Sequence, residues 1–435
     1  MKRILSGLLI LVILCTVSGC SSSISQQETA EAPSVTGDTV RVDASSGAVS
    51  LSAMAGTKEA PLPLAADDPV FASVGDLGRG LLLRAKGENP VISPLSAWLA
   101  LAMAAEGAGG KTKEEFDSLL GGCEDLAGAA AALEKGFRDG NDADNIFSTA
   151  NSVWVDHRSE ILKSYLDSLV SFYGADVFAA SLPTRETVKA VNDWVSEKTR
   201  GLIPNMLDET PDPATALILI NTLYMKAKWQ SSFEKNDTYD EDFFPDNGSP
   251  VTVPFLHRCG SMSYLRGEGY TGIVLPYQNG TANFIALKPD GIDAKALLDK
   301  LDGKTVSALA GSAIKEKVSL SLPKLDTDFT MDMTPVLPEL GIPSAFDPSS
   351  ADFSAMGTGV NGTALYIGGV LQKVRIIVDE EGTEAAAATM IDMKATGALD
   401  PDTPIELIFN EPFVFLITDG ATGAPLFMGI VTDPS

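Results

Sequence analysis

His157 and His257 are the only imidazoles in the chain, and a serine or cysteine nucleophile would have to use one of them as its base. Neither has the setting for it. There is no G-x-S-x-G elbow, no H-E-x-x-H pair and no paired C-x-x-C. Carboxylates are so evenly spread that no two stand out as an acid and a base. No cluster has metal-ligand spacing, and neither a metal nor another cofactor is expected. Gly107-Ala108-Gly109-Gly110-Lys111-Thr112 invites comparison with a phosphate-binding loop. Ala105 stands where that pattern needs its first glycine, and the segment follows a helix instead of a strand. The chain does not read as a hydrolase.

The informative segment is one on which another protein's chemistry could act. Asp379 to Thr389 reads Asp-Glu-Glu-Gly-Thr-Glu-Ala-Ala-Ala-Ala-Thr. Composition alone favours a helix capped by Thr383, because alanine and glutamate are good helix formers. Its flanks argue otherwise. Leu371 to Val378 is β-branched and apolar and reads as a strand, and Glu406 to Thr418 reads as another. Between the alanines and that second strand the chain is loosely polar, with Gly397, Pro401 and Pro404. A long loop between two strands, opening with small residues, is expected to be an exposed functional segment.

These residues resemble the hinge of inhibitory serpins, in which two acidic residues, glycine, threonine and glutamate precede a run of small side chains. Glu380, Glu381, Gly382, Thr383, Glu384, Ala385, Ala386, Ala387 and Ala388 follow that pattern position by position. Phe409 to Leu416 resembles the family signature and departs from it at Glu411. The likeness runs from about Asp68 to Pro434, and Leu219 to Phe233 and Ala351-Asp352-Phe353-Ser354 are further landmarks. It implies an α+β serpin fold with a large central mixed β-sheet, two further sheets, about eight or nine helices and an exposed reactive-centre loop near the C-terminus.

The resemblance also implies a mechanism. The target protease attacks the loop, and the cleaved loop enters the central sheet as a new strand while still acylated to the enzyme. Loop insertion in this family is a known instance of strand addition and strain release. Counting about seventeen positions from Glu380 puts the reactive bond at Thr396-Gly397, with Ala395 and Lys394 as rivals. Small side chains there imply an elastase-like or subtilisin-like partner. Thr383 to Thr396 is fourteen residues, roughly 45 Å as a strand. Ser93, Ser96 and Asn221 match a polar cluster beneath the sheet that controls its opening. Gln372 stands where a histidine usually completes that cluster. Trp229 lies in the block near the sheet's opening end, and Lys324 and Glu380 match a pair that pins the hinge. The expected function is suicide inhibition of serine, or papain-like cysteine, endopeptidases by a monomer. The alternatives are a non-inhibitory serpin-fold binding protein or, in another class, a solute-binding lipoprotein with two α/β lobes.

The N-terminus begins Met1-Lys2-Arg3, continues with an apolar run from Ile4 to Val17 and ends in Ser18-Gly19-Cys20. That order reads as a signal peptide, too short for an ordinary membrane span. It matches the bacterial lipobox, so residues 1–19 are expected to be removed and Cys20 lipidated, leaving an extracytoplasmic protein held to the membrane by lipid alone. Residues 20–67 are rich in Ser, Ala, Gly, Thr and Pro and read as a disordered tether, with one domain over 68–435. The net charge of −26 and the pI of about 4.4 disfavour nucleic acid as a partner. With Cys15 and Cys20 accounted for, Cys123 and Cys259 are expected to be free thiols.

Elsewhere Ser93 reads as an N-cap with Pro94 at the first helical position, followed by a buried helix over Ala97 to Glu106. Helices are also expected over Asp68–Lys86, Ile161–Tyr173 and Thr187–Thr199, and a short one over Asp328–Leu340. Phe147–Val155, Ala216–Lys228 and Val318–Leu325 read as strands, and Gln278-Asn279-Gly280-Thr281 as a hairpin turn.

Overall fold

The computed structural model describes residues 34–36, 38–41, 48–56, 64–65, 68–123, 125–139, 146–201, 203–211, 215, 217–359, 362–383 and 403–435. Among them are eight α-helices: α1 (Pro69–Arg84), α2 (Pro94–Glu106), α3 (Gly110–Leu119), α4 (Leu126–Asp139), α5 (Lys163–Phe172), α6 (Arg185–Lys198), α7 (Ala294–Lys300) and α8 (Gly303–Ser312). The strands of the first half are β1 (Ser34–Thr36), β2 (Thr39–Arg41), β3 (Val49–Ser50), β4 (Val91–Ile92), β5 (Ile146–Asp156), β6 (Glu160–Leu162), β7 (Asp176–Ala180) and β8 (Leu217–Lys228). Those of the second half are β9 (Thr238–Phe243), β10 (Val251–Gly267), β11 (Tyr270–Pro276), β12 (Ala282–Pro289), β13 (Ile314–Pro323), β14 (Leu325–Asp332), β15 (Gly357–Thr358), β16 (Gly369–Val378), β17 (Gly382–Thr383), β18 (Ile405–Ile408), β19 (Phe413–Asp419) and β20 (Pro425–Val431).

They form three sheets. The central one runs β14-β16-β17-β8-β5-β7-β3 and mixes parallel and antiparallel pairs. A second runs β18-β13-β10-β11-β12-β19-β20-β4, with β9 on the edge of β10, and a third runs β1-β2-β6-β15. The architecture is the α+β one the resemblance implied.

Helix α2 is the keel. Its thirteen residues are apolar almost all round, and every one from Pro94 to Ala105 is buried. Such a helix can only lie inside a large core, and it packs against β8 and β5 of the central sheet and β20 of the second. Pro94 opens it, and the Ser93 hydroxyl accepts from the Ser96 N–H at 3.3 Å. Asp68 caps α1 and Thr184 caps α6 in the same way. The Leu217–Ile220 stretch of β8 is fully buried, as its unbroken apolar run predicts. The chain reverses between β11 and β12 at Asn279 and Gly280, both with positive φ.

Four expectations fail. Residues 20–67 are not wholly a tether, since β1, β2 and β3 fall inside them. β3 extends the central sheet beyond β7, and the Leu51 N–H donates to the Val177 carbonyl at 2.8 Å. Leu51 and Val40 are buried, which gives a low-complexity segment a reason to order. Asp328–Leu340 is no helix. Its first part belongs to β14, where Leu325 and Met331 are buried and Asp326, Asp328, Thr330 and Asp332 alternate outward. Glu406–Thr418 is two strands in one sheet, parted at Phe409–Pro412 where proline cannot donate to a ladder. Finally, Ile161 and Leu162 belong to β6, and α5 starts only at Lys163.

Candidate functional site

The site is the seam between β8 and β16. At its lower end these strands pair directly and in parallel, from Gly369 opposite Ile218 to Gln372 opposite Asn221. There the direct pairing stops. At the upper end β17 lies between them, with Thr383 opposite Ala227 on one side and Val378 on the other, antiparallel to both. Five residues of each strand, 222–226 and 373–377, separate the two zones. Their outer ladders, β8 to β5 and β16 to β14, stay intact.

The chain enters the seam through a tight turn. The Asp379 carboxylate accepts from the N–H groups of Glu381 at 2.9 Å and Gly382 at 3.2 Å, and the Asp379 N–H donates to the Gly382 carbonyl at 2.9 Å. Glycine is demanded at 382 by close approach, since a Cβ there would sit 2.1 Å from the Ala227 carbonyl oxygen. Thr383 is 3% exposed, and its hydroxyl lies 2.6 Å from that of Tyr277. Burial pushes the Tyr277 phenol up, although the bond to Thr383 opposes this.

Trp229 braces the turn. Its indole N–H donates to the Asp379 carbonyl at 2.8 Å, its backbone N–H donates to Glu381 at 2.9 Å, and its ring stacks on Tyr277 with centroids 4.5 Å apart. Lys324 binds the buried Glu380 at 2.8 Å. Burial alone would raise the Glu380 pKa, but the Lys324 ammonium and further hydrogen bonds outweigh it and hold the carboxyl below its ordinary value. Lys235 lies 3.3 Å from Glu381.

A second polar group sits where direct pairing begins. Gln372 grips the Ser93 backbone with both ends of its amide. Its Oε1 accepts from the Ser93 N–H and its Nε2 donates to the Ser93 carbonyl, each at 2.9 Å. Asn221 donates to the Asn151 side chain, and Asn151 in turn donates to the Tyr173 carbonyl at 3.2 Å. Ser93, Ser96, Asn221 and Gln372 are all buried here. The structure thus brings the expected cluster together and pins the closed part of the seam to the cap of α2.

Two members of the site were not expected. Asn151 lies in Phe147–Val155, read only as a strand, and Tyr277 directly precedes the Gln278–Thr281 turn. Their signal was a polar group on a buried side chain, which requires a buried partner. Glu384, Ala385, Ala386, Ala387, Ala388, Lys394, Ala395, Thr396, Gly397 and the Cys20 lipidation site lie outside the described residues. Neither histidine joins the seam. His157 sits beside Asp156, while His257 stacks on Tyr239 and its Nδ1 lies 2.9 Å from the Asp237 carbonyl oxygen. Cys123 and Cys259 are free.

Comparison with known proteins supplies the family. The serpin (serine protease inhibitor) family model matches residues 75–434. The chain belongs to the serpin family. An uncharacterised serpin-like protein of Thermococcus kodakarensis is 30% identical over 98% of each chain. Alpha-1-antiproteinase 2 of Equus caballus is 33% identical, covering 80% of this chain and 82% of its own. Among solved structures, the thermophilic serpin tengpin in its native state superposes with a TM-score of 0.82 at 32% identity, covering 89% of this serpin and 100% of tengpin. The same relative in its latent state gives 0.73, so this serpin is nearer the native form.

Proposed function

We propose that this serpin is a suicide-substrate inhibitor of serine (or papain-like cysteine) endopeptidases, which traps the acyl-enzyme by drawing the cleaved loop into its central sheet. The observation that carries the reading is β17, whose first hinge residues already lie between β8 and β16. Continuing that antiparallel register would set residues 384–388 opposite 226–222 and 377–373. Those five positions lie between β17 and the zone where β8 and β16 pair directly. Thr389 would then meet Asn221 and Gln372. By strand alternation Ala385 and Ala387 would share the inward side of Thr383, and the charged Glu384 would face outward. Insertion would therefore extend β17 along these positions and reach the directly paired zone at the Gln372–Ser93 contact.

The target is an elastase-like or subtilisin-like enzyme acting at Thr396-Gly397, on a monomer anchored outside the cytoplasm through lipid on Cys20. Labelled palmitate should enter the wild type and not Cys20→Ala. The inhibitory reading is tested by limited proteolysis within residues 384–402 followed by thermal unfolding. A fully inserted strand predicts a large rise in Tm on cleavage. An unchanged or lower Tm would leave the loop outside the sheet and overturn the reading.

A further inference from the structure

A cavity of about 470 Å³ lies against the closed end of the seam, on the face of the central sheet that α6 covers. Small-molecule sites occupy roughly 300–1,000 Å³. Both strands of the seam form its floor. Ile218 comes from β8, Gly369 and Leu371 come from β16, and Gly369 pairs directly with Ile218. Met206 and Leu207, from the segment after α6, supply an apolar wall. Met206, Leu207 and Ile218 are buried, and Leu371 packs against the same apolar cluster.

The surroundings hold this space in shape. The Asn192 side chain on α6 accepts from the N–H groups of Met206 at 2.8 Å and Leu207 at 2.9 Å, and donates to the Leu207 carbonyl at 2.8 Å. On the β16 side the Thr334 hydroxyl accepts from the Val370 N–H at 3.0 Å. Gly369 leaves the floor bare, since a Cβ there would meet nothing nearer than the Thr334 hydroxyl at 3.9 Å. Asp208, Glu209 and Asp332 also line the cavity, and all three are exposed. No lysine, arginine or histidine is among the described residues that line it. Lys373, farther along β16, donates to the Asn205 carbonyl at 3.2 Å. An apolar floor with carboxylates at its edge fits a molecule with an apolar body and a positive head. The body would leave water against the floor, and the head would pair with the carboxylates.

The position couples this site to the seam. Continuing the register of β17 would set Met390 opposite Ile220 and Leu371, and Asp392 opposite Ile218 and Gly369. Insertion that far must part the two strands that make the floor. We propose that this cavity binds a cationic amphiphile, an apolar body bearing an amine or guanidinium, and that its occupancy holds the lower seam shut against loop insertion. The second half rests on the inhibitory reading and adds a regulator to it. A ligand that binds only the closed seam must oppose insertion, and insertion must in turn expel the ligand.

Dansylcadaverine, a naphthyl body on a primary amine, is titrated into the full-length serpin, with dansylglycine as its anionic counterpart. We expect saturable, blue-shifted emission from the amine and at least about tenfold weaker binding of the acid. Gly369→Met fills the floor and should weaken the amine at least about tenfold. Asp208→Asn/Glu209→Gln keeps the cavity and removes two charges, and it should weaken the amine about fivefold without weakening the acid. No binding to the wild type, equal binding of the two dyes, or wild-type affinity in Gly369→Met would overturn the site. For the coupling, elastase is titrated with the serpin at about ten times the Kd of the amine, where insertion should slow about tenfold. More serpin should then be cut for each protease trapped, and Gly369→Met should show less of this effect. Elastase turnover of a small peptide substrate controls for action of the dye on the enzyme. An unchanged stoichiometry would overturn the coupling. Cleavage without trapping in the absence of dye would instead count against the inhibitory reading, and the titration would still decide the site.

Discussion

Replacing Thr383 by arginine should convert the protein from an inhibitor into a substrate. Thr383 is 3% exposed, its hydroxyl is 2.6 Å from that of Tyr277, and the buried hinge carboxylate Glu380 is already engaged by Lys324. An arginine would have to leave its hydration shell without a counter-ion or stay outside the sheet. Burying an unpaired charge costs several kcal/mol even after relaxation. If about 3 kcal/mol of that is felt at the barrier, insertion slows by about 150-fold. Hydrolysis of the acyl-enzyme then wins the competition. The assay titrates active protease with wild type and Thr383→Arg and follows intact complex and cleaved serpin on denaturing gels. The number of serpin molecules consumed per protease should rise steeply in the variant while the loop is still cut at the same bond. Complex formation by Thr383→Arg at wild-type stoichiometry and rate would refute the reasoning, because the first buried side chain would then not limit insertion.

Other perturbations test the neighbouring contacts. Gln372→Leu strands the buried Ser93 N–H, while the Ser93 carbonyl keeps the Ala97 N–H at 3.0 Å. One orphaned donor plus one lost bond should cost about 2–4 kcal/mol, seen as a lower Tm and faster insertion of the uncut loop. Gly382→Val puts a Cβ into the Ala227 carbonyl and should expel β17, read as faster amide exchange at Ala227 and Lys228. The Glu380 pKa is depressed in the fold, so its stabilisation is present above the unfolded value of about 4.3 and is lost as pH falls through the lower folded one. Thermal stability should therefore drop below about pH 4 in the wild type, with that step missing in Glu380→Gln.

Much of this site was legible because its demands are local. A glycine forced by close backbone approach, a threonine small enough to enter a sheet and a run of alanines form a linear pattern. So do the serine and proline that open α2. What stayed hidden depends on partners distant in sequence. Asn151 matters because Asn221, seventy residues away, needs an acceptor beneath the sheet. Tyr277 matters because the hinge turns in above it, 106 residues later in the chain. Gln372 could be placed from the resemblance, but its double grip on Ser93 follows only from the geometry of the α2 cap. The errors have local causes too. Pro335 and Pro338 lie beyond the two-residue alternation of Leu325–Asp332, which alone marks the strand, and the small-residue composition of the N-terminal segment masks Val40 and Leu51, whose burial orders it.

Trapping itself is the claim to measure first. The serpin is incubated with active elastase, subtilisin and trypsin, the products are run on denaturing gels, and the released C-terminal peptide is sequenced. The account predicts a band of combined mass that survives detergent with elastase or subtilisin, and a peptide beginning at Gly397. Cleavage by all three without such a band would contradict it and leave a serpin that is cut but does not trap.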